Sequence, residues 1–489
     1  DMNLSLWDSS VPFLIKGKRM SANHLIKVYS SKIGERNGTK RIWIESKKLN
    51  ETKLAQNLRY EPEYDFEAKR ITLKTGLVNK ISTRKKSNSL VIDILNQNVN
   101  EIFEGFQHVV IKLYKDEVII EPLKEEKDQQ IAKQKAYSTN PTAIEIFAGG
   151  GTLVKALGDA GIKTVAAVEL EDKYLQNLEA NNPNVTTYCG DLAKLDISML
   201  PKADMVVAGI PCEGYSQAQT KKTEKFEAHP TGSLGFYVLK IIDAIRPAVV
   251  LIEEVPNFKS SAMASMTRYV LDSMGYHISE TELVGSDYGS LTKRKRYCMV
   301  ASIKKGFEFD DSLKKINTRT VRDILEVPVE NRDWLDKNNS ATISYSLEKE
   351  KEHIRKGEGF RIGRTYLDDK VTPTITKGYF KGRLTDPILC HPTIPDTYSW
   401  FTPRELARIN GLPEDFLLTD TKSTNGEIIG QGVCYEAFNA VGKMIINHFN
   451  SEEFDADKHK LDLFKSTISE NNINYSDEQL SCFMSGSLF

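Results

Sequence analysis

From residue 142 onward the chain alternates short apolar runs with segments whose apolar residues recur at helical spacing. TAIEIFA (142–148), TVAAVEL (164–170), ADMVVAG (203–209) and AVVLIEEV (248–255) predict strands. Between them TLVKALGDAGI (152–162), KYLQNLEANN (173–182) and FYVLKIIDAI (236–245) predict helices. Strand and helix alternating at this spacing predict an α/β fold, a parallel sheet with helices on both faces. Ligands of such sheets bind at the carboxyl ends of the strands.

Outside that stretch the pattern changes. Residues 303–395 are polar, turn-rich and without regular period, which predicts a separate irregular domain. Helical spacing returns in TPRELARING (402–411) and YEAFNAVGKMIINHF (435–449), and 396–450 is assigned back to the sheet domain. Residues 451–489 form a mostly polar tail. Residues 124–138, KEEKDQQIAKQKAYS, predict a linker or solvated helix ahead of a core spanning 139–302. Residues 1–123 form a small α/β or mainly β accessory domain. Within it 41–74 and 89–123 share an order of strand, short helix and two strands, an internal repeat. The second copy resembles the small swapped-hairpin DNA-binding modules of the AbrB type.

At 489 residues, 40% hydrophobic and 27% charged, the chain has the composition of a globular protein of two or three domains. No run of 18 apolar residues and no signal-peptide pattern is present, so the expectation is a cytoplasmic, nucleoid-associated protein with no membrane contact. Asp1 ahead of Met2 is read as a tag remnant. The cysteines, 189, 212, 298, 390, 434 and 482, are too scattered for a zinc or redox pair, which predicts reduced thiols and no metal. Net charge is −1, but residues 1–140 hold 25 Lys and Arg against 18 Asp and Glu, and the rest 41 against 49. A basic front on an acidic body suits contact with nucleic acid. Residues 2–123 are expected to add DNA affinity.

The candidate chemistry lies at the strand ends. Phe147 and Ala148 lead into Gly149, Gly150 and Gly151, a turn through which backbone can approach a ligand closely. Glu169 ends the second strand, placed for ribose hydroxyls, and Asp191 follows, placed for an adenine amino group. With no third glycine at dinucleotide spacing and no lysine-serine pair for a triphosphate, an adenosine ligand without pyrophosphate fits, and S-adenosylmethionine is one. Cys212, in AGIPCEGYS, follows the third of these strands. A thiolate there is placed to attack carbon 6 of a pyrimidine while an acid, Glu253 at the end of the fourth strand, supplies a proton at ring nitrogen 3. Arg294 and Arg296, in LTKRKRYCMV, supply cations for the base and its phosphate.

These motifs, in this order, resemble those of the C5-cytosine-specific DNA methyltransferases over about 142–449. EIFAGGG resembles that family's cofactor turn, AGIPCEGYS its Pro-Cys loop, EEVPNF its Glu-Asn-Val and TKRKR its Gln-x-Arg-x-Arg. TPRELARINGLPEDF and IGQGVCYEAF resemble its later segments. The resemblance implies a Rossmann-like S-adenosylmethionine-dependent methyltransferase sheet, with 303–395 as the target-recognition domain. It implies a DNA (cytosine-5-)-methyltransferase of a restriction-modification or defence system, with cognate defence proteins as partners and S-adenosylhomocysteine as product. Cys212 would be the nucleophile, Glu253 the acid, and Arg294 and Arg296 the base-positioning cations. Phe147, Ala148, Gly149, Gly151, Glu169, Leu170, Asp191, Leu192, Pro211, Gln431 and Val433 would hold the cofactor. The base would be flipped out of duplex DNA, and 213–231, carrying Lys221, Lys222 and Lys225, would close over it.

Three positions depart from the family pattern: Glu254 and Thr292 replace its asparagine and glutamine, and Gln431 its closing asparagine. Glu254 is expected to point away from the pocket, as a strand neighbour of Glu253, and either to raise the proton affinity of Glu253 by like-charge repulsion or merely to break a loop-anchoring hydrogen bond. The alternatives are a tRNA cytosine-5 methyltransferase and a catalytically degenerate DNA-binding protein.

Overall fold

The computed structural model describes residues 24–84, 87, 89–136, 138–211 and 233–451. Cys212, Lys221, Lys222 and Lys225, and the tail beyond 451, lie outside the described residues. The chain divides into two units, residues 1–128 and 129–489.

In the second unit the central sheet has seven strands: β1 (Thr142–Ile146), β2 (Lys163–Glu169), β3 (Thr186–Cys189), β4 (Met205–Gly209), β5 (Val249–Glu254), β6 (His277–Val284) and β7 (Lys295–Ser302), in spatial order β3-β2-β1-β4-β5-β7-β6. Ala166 and Val168 of β2 join the main core, whereas Ala167 between them packs with Leu175 and Leu178 in a second cluster. Alternate side chains point to opposite faces of a strand, so both faces are covered. The helices α1 (Thr152–Gly158), α2 (Asp172–Asn181), α3 (Leu234–Ile245) and α4 (Ala262–Ser273) supply that cover.

The parallel sheet expected from sequence is mixed. Strands β1 to β5 pair in parallel, but β7 runs antiparallel to both β5 and β6. The short connection between β6 and β7 has no room for a crossover, so the chain reverses as a hairpin. This reversal matters functionally: the amino end of β7, with Arg296, lies at the same rim as the carboxyl ends of β4 and β5.

The boundaries of 303–395 also differ from expectation. Val321, Ile324, Ile375, Tyr379 and Leu389 share a core with Phe401, Leu406, Phe416 and Ile429, so this segment does not stand apart from the chain that follows. Helices α5 (Ala341–Arg355), α6 (Pro403–Ile409) and α7 (Lys422–Gln431) belong to this region, and α8 (Tyr435–Asn450) returns to the main core. The 124–138 segment is a helix over Lys124–Lys135 rather than a free linker. Ala132 and Ala136 are buried in the second unit's core, and Lys135 Nζ donates to the carbonyls of Ile245 and Arg246.

In the first unit a six-stranded and a four-stranded sheet enclose a core of Ile, Leu and Val. Its two halves share one pattern. Thr39–Ser46 and Ser89–Leu95 pair antiparallel, each followed by a helical turn capped by Ser46 or Asn96. Each turn leads to a hairpin, Arg59–Asp65 with Arg70–Thr75, or His108–Tyr114 with Glu117–Pro122. The first strand of each half crosses to the other: Leu25–Lys32 pairs with His108–Tyr114, and Asn79–Lys80 with Arg59–Asp65.

The shared core of 321–429 is pinned by an unexposed ion pair. Glu405, third residue of α6, accepts from the backbone of Thr402 (2.9 Å), Glu326 (2.8 Å) and Val327 (3.2 Å) and pairs with Arg332. Removing one partner strands the other charge without water. Glu405→Ala is therefore expected to lower the stability of the second unit by about 3–5 kcal/mol; an unchanged denaturation midpoint would contradict this.

Candidate active site

One cavity of about 750 Å³ lies along the strand-end rim. The glycine turn forms one side. Phe147 (φ 61°), Gly149 (φ 52°) and Gly151 (φ 84°) all take left-handed backbone, a conformation that costs a non-glycine residue such as Phe147 of order 1–3 kcal/mol. The turn is closely packed: a Cβ on Gly150 would lie 2.5 Å from the Ile428 side chain. Glu169 braces it, one carboxylate oxygen accepting from Gly149 N at 2.8 Å and the other from Leu170 N (2.9 Å) and Glu171 N (3.1 Å). A carboxylate offers about four acceptor sites, so three internal bonds leave capacity for a ribose hydroxyl. Asp191 accepts from Ala193 N at 3.0 Å through one oxygen, and its side chain is 44% exposed. Ala148 and Leu192 are buried, Leu170 is exposed, and all three line the cavity with Pro211. Gln431 and Val433, some 280 residues along the chain, close the same turn: Gln431 Nε2 lies 3.5 Å from where a Gly149 Cβ would stand, and Val433 N donates to Thr152 Oγ1 at 3.3 Å.

The other side carries the acids and cations. Glu253 at the end of β5 is buried, and its Oε1 lies 2.5 Å from Arg296 Nε, with side chains 9% and 11% exposed. The contact is one of opposite charges without an aligned hydrogen bond. Both residues line the cavity, beside Gly209 and Ile210 on the chain leading to Cys212.

Arg294 has a different place from its neighbour. Its guanidinium donates to the carbonyls of Ile375 and Gly430, each at 2.8 Å, and is buried. The two carbonyls belong to two cavity walls, 374–377 and 428–433, whose backbones touch where a Gly430 Cβ would meet Thr376 at 2.3 Å. Arg294 ties these walls together, acting on the site by position. Thr292 is fully buried and bridges to Thr372, in the same framework role.

Two acids were read differently, or not at all, from sequence. Glu254 was expected to face away from the pocket; it lines the cavity, because β5 ends there and the chain turns toward Pro256. Its Oε2 accepts from Val255 N at 2.6 Å and its Oε1 has no hydrogen-bond partner among the described residues. Burial, and secondarily the charge of Glu253, push its carboxyl well above the ordinary range. The like-charge effect falls on Glu254 itself, whose carboxyl Glu253 helps to push up. Glu145, not singled out from sequence, is equally buried in β1, lines the cavity, and is pushed up first by burial and then by Glu253. Its signal was a lone acid inside an otherwise apolar strand.

A raised carboxyl means that the folded chain keeps a proton the unfolded chain gives up above about pH 4.5. Stability therefore falls as pH rises from there toward the raised value. Glu254→Gln, neutral throughout, removes its share of that fall. Denaturation midpoints of the Gln variant are expected to gain on the unaltered chain from pH 5 to 8; a difference constant with pH would contradict the assignment.

No group of three metal-ligating side chains occurs among the described residues, and no helix among them is long and apolar enough to cross a membrane. The family model for C-5 cytosine-specific DNA methylase matches residues 141–447. Type II methyltransferase M.DsaV of Dactylococcopsis salina is 27% identical over 337 residues, covering 65% of this chain and 90% of that protein. Type II methyltransferase M.HpaII of Haemophilus parainfluenzae is 27% identical over 339, covering 62% and 89%. The S. pombe Dnmt2 methyltransferase structure superimposes with a TM-score of 0.52 at 18% identity, covering 64% of this chain and all of that one. The Entamoeba histolytica methyltransferase EhMeth gives 0.51 at 19%, covering 64% and 99%. With the glycine turn, the strand-end acid and its arginine in one cavity and the family's model spanning most of the second unit, the chain belongs to the C-5 cytosine-specific DNA methylases.

Proposed function

We propose that the chain methylates carbon 5 of a cytosine flipped out of duplex DNA, with Cys212 as nucleophile and Glu253 as acid. The Glu253–Arg296 pair carries this reading, since it sets a carboxyl and a cation at the rim, Glu253 pairing with Gly209 two residues before Pro211, and opposite the glycine turn in one cavity. S-adenosylmethionine, the methyl donor that the family uses, supplies an electrophilic methyl group. The fit is supported by the spare acceptor capacity of Glu169, the half-exposed Asp191 carboxylate and the close-packed glycine turn.

In this scheme the Cys212 sulfur bonds to carbon 6 of the ring. The electrons of the 5,6 double bond are delivered to carbon 5 as Glu253, which takes a proton from solvent before the base docks, hands it to nitrogen 3, and carbon 5 takes the methyl group. Loss of the carbon 5 proton to a base and of the sulfur from carbon 6 restores the double bond and frees the thiolate, and nitrogen 3 returns its proton to Glu253. Arg296 keeps Glu253 at the base and offers a donor to the ring carbonyl. Arg294 is a positioning residue, holding the wall at 374–377, whose Lys377 lines the cavity as Arg383 does further along the chain. Residues 303–395 serve as the target-recognition region in this reading. The type II relatives support a place in a restriction-modification system, with a cognate nuclease as partner.

Incubation with labelled S-adenosylmethionine tests the reading. Label is expected on duplex DNA and not on tRNA. Cys212→Ser is expected to abolish transfer while cofactor affinity is kept, and Glu253→Gln to slow it about 10²–10⁴-fold. Transfer to tRNA alone, or substantial activity of Cys212→Ser, would reject it.

A further inference from the structure

The two halves of the first unit share one backbone frame, so sequence differences between equivalent positions are not demanded by that frame. Trp43 pairs directly with Asp93 where the halves meet. Ile42 and Ile44 correspond to Ile92 and Ile94, all buried, and the caps Ser46 and Asn96 correspond in turn. On this alignment Arg41, Trp43, Lys47 and Lys48 of the first half stand where the second half has Val91, Asp93, Gln97 and Asn98. One half has become basic and aromatic where the other is neutral or acidic.

Of these, Trp43, Lys47 and Lys48 border an open cleft of about 640 Å³, which Lys27, Tyr29 and one acid, Glu45, also line, with serines between. Trp43 is 36% exposed, an unusual place for tryptophan, and Arg41 and Arg84 lie 4.4 and 5.8 Å from its ring centroid. Lys27 Nζ lies 4.8 Å from the ring of Tyr29, whose hydroxyl is buried with no hydrogen-bond partner among the described residues. Arg41 pairs with Asp93 (2.7 Å), Arg84 with Glu45 (3.3 Å) and Lys48 with Glu51 (2.6 Å). Lys27 and Lys47 face no carboxylate in any ion pair among the described residues, so the cleft carries excess positive charge.

We propose that this cleft is a second DNA contact, gripping the phosphate backbone of the duplex independently of the target cytosine. This rests on the reading that the chain acts on DNA. Lys27, Lys47 and Lys48 meet phosphates, and Trp43 lies against the sugar edge. Charge complementarity selects the occupant: Lys27 and Lys47 carry no ion pair among the described residues, Lys48 exchanges its exposed pair with Glu51 for a phosphate, and this attraction acts whatever the base sequence. Among the described residues two rings, Tyr29 and Trp43, line the cleft, too few to stack a run of unpaired bases.

The full chain is titrated by fluorescence anisotropy with a 30-base-pair duplex of A·T pairs only, which offers no cytosine, across a salt series. Each phosphate contact contributes about 0.9 to the slope of log affinity against log salt. The Lys27→Ala/Lys47→Ala/Lys48→Ala chain is expected to bind at least tenfold more weakly at low salt, with a slope shallower by about 3. Trp43→Ala is expected to weaken binding without changing the slope. On cytosine-containing duplex the triple variant is expected to keep kcat and raise KM. Wild-type affinity and slope in the triple variant would overturn the proposal, as would loss confined to single-stranded oligothymidine. A chain that binds the A·T duplex through this cleft but methylates nothing would sink the proposed function and leave this contact standing.

Discussion

A carboxylate taken out of water at the end of a buried strand must find a cation or give up its charge, and much of this active site follows from that constraint. Three glutamates, 145, 253 and 254, crowd the rim of the sheet, yet one arginine, Arg296, lies within ion-pair reach. Glu253 takes it. In Glu145 and Glu254 burial, with the charge of Glu253, pushes the carboxyl well above the ordinary range instead. The result is one acid matched to a cation among acids that are not, with its orientation fixed by the guanidinium beside it.

That pairing depends on strand direction. In an all-parallel sheet the start of β7 would lie at the opposite edge from the end of β5, and Arg296 would be out of reach of Glu253. The β6–β7 hairpin turns β7 round and delivers the arginine to the working rim. Two residues earlier Arg294 uses the same reversal for another purpose. It binds backbone carbonyls of two segments distant in sequence, so the wall facing the acid and the wall closing the cofactor turn form one frame.

Strands β1, β2, β4 and β5, the helices α1, α2 and α3, the glycine turn and the acids at the strand ends were legible because each is written locally, in period and spacing, whereas the four-residue edge strand β3 was too short to show. The direction of β7 was not, since a short apolar strand looks alike in either sense and only the length of the connection decides. Arg294 was legible as a cation near Arg296 but not as a carbonyl clamp, because its partners lie 81 and 136 residues away. Glu145 escaped notice because one acid in an apolar run resembles a strand imperfection until its neighbours are known. The separate domain expected at 303–395 merged with 401–429 for a similar reason: a shared core such as that of Ile375, Tyr379, Phe401 and Ile429 leaves no periodic trace. In the first unit the repeat showed in the order of its elements, whereas the exchange of opening strands between the halves did not.

The account turns on a transient bond between the Cys212 sulfur and carbon 6 of the target base. Fluorine at carbon 5 cannot leave as a cation, so a duplex bearing 5-fluorocytosine stalls the reaction after methyl transfer. Intact-mass measurement of the chain with that duplex and S-adenosylmethionine is predicted to give a one-to-one adduct carrying the extra methyl group, with the linkage mapped by proteolysis to Cys212. A linkage at any other residue, or no adduct from a preparation that methylates ordinary cytosine, would contradict it.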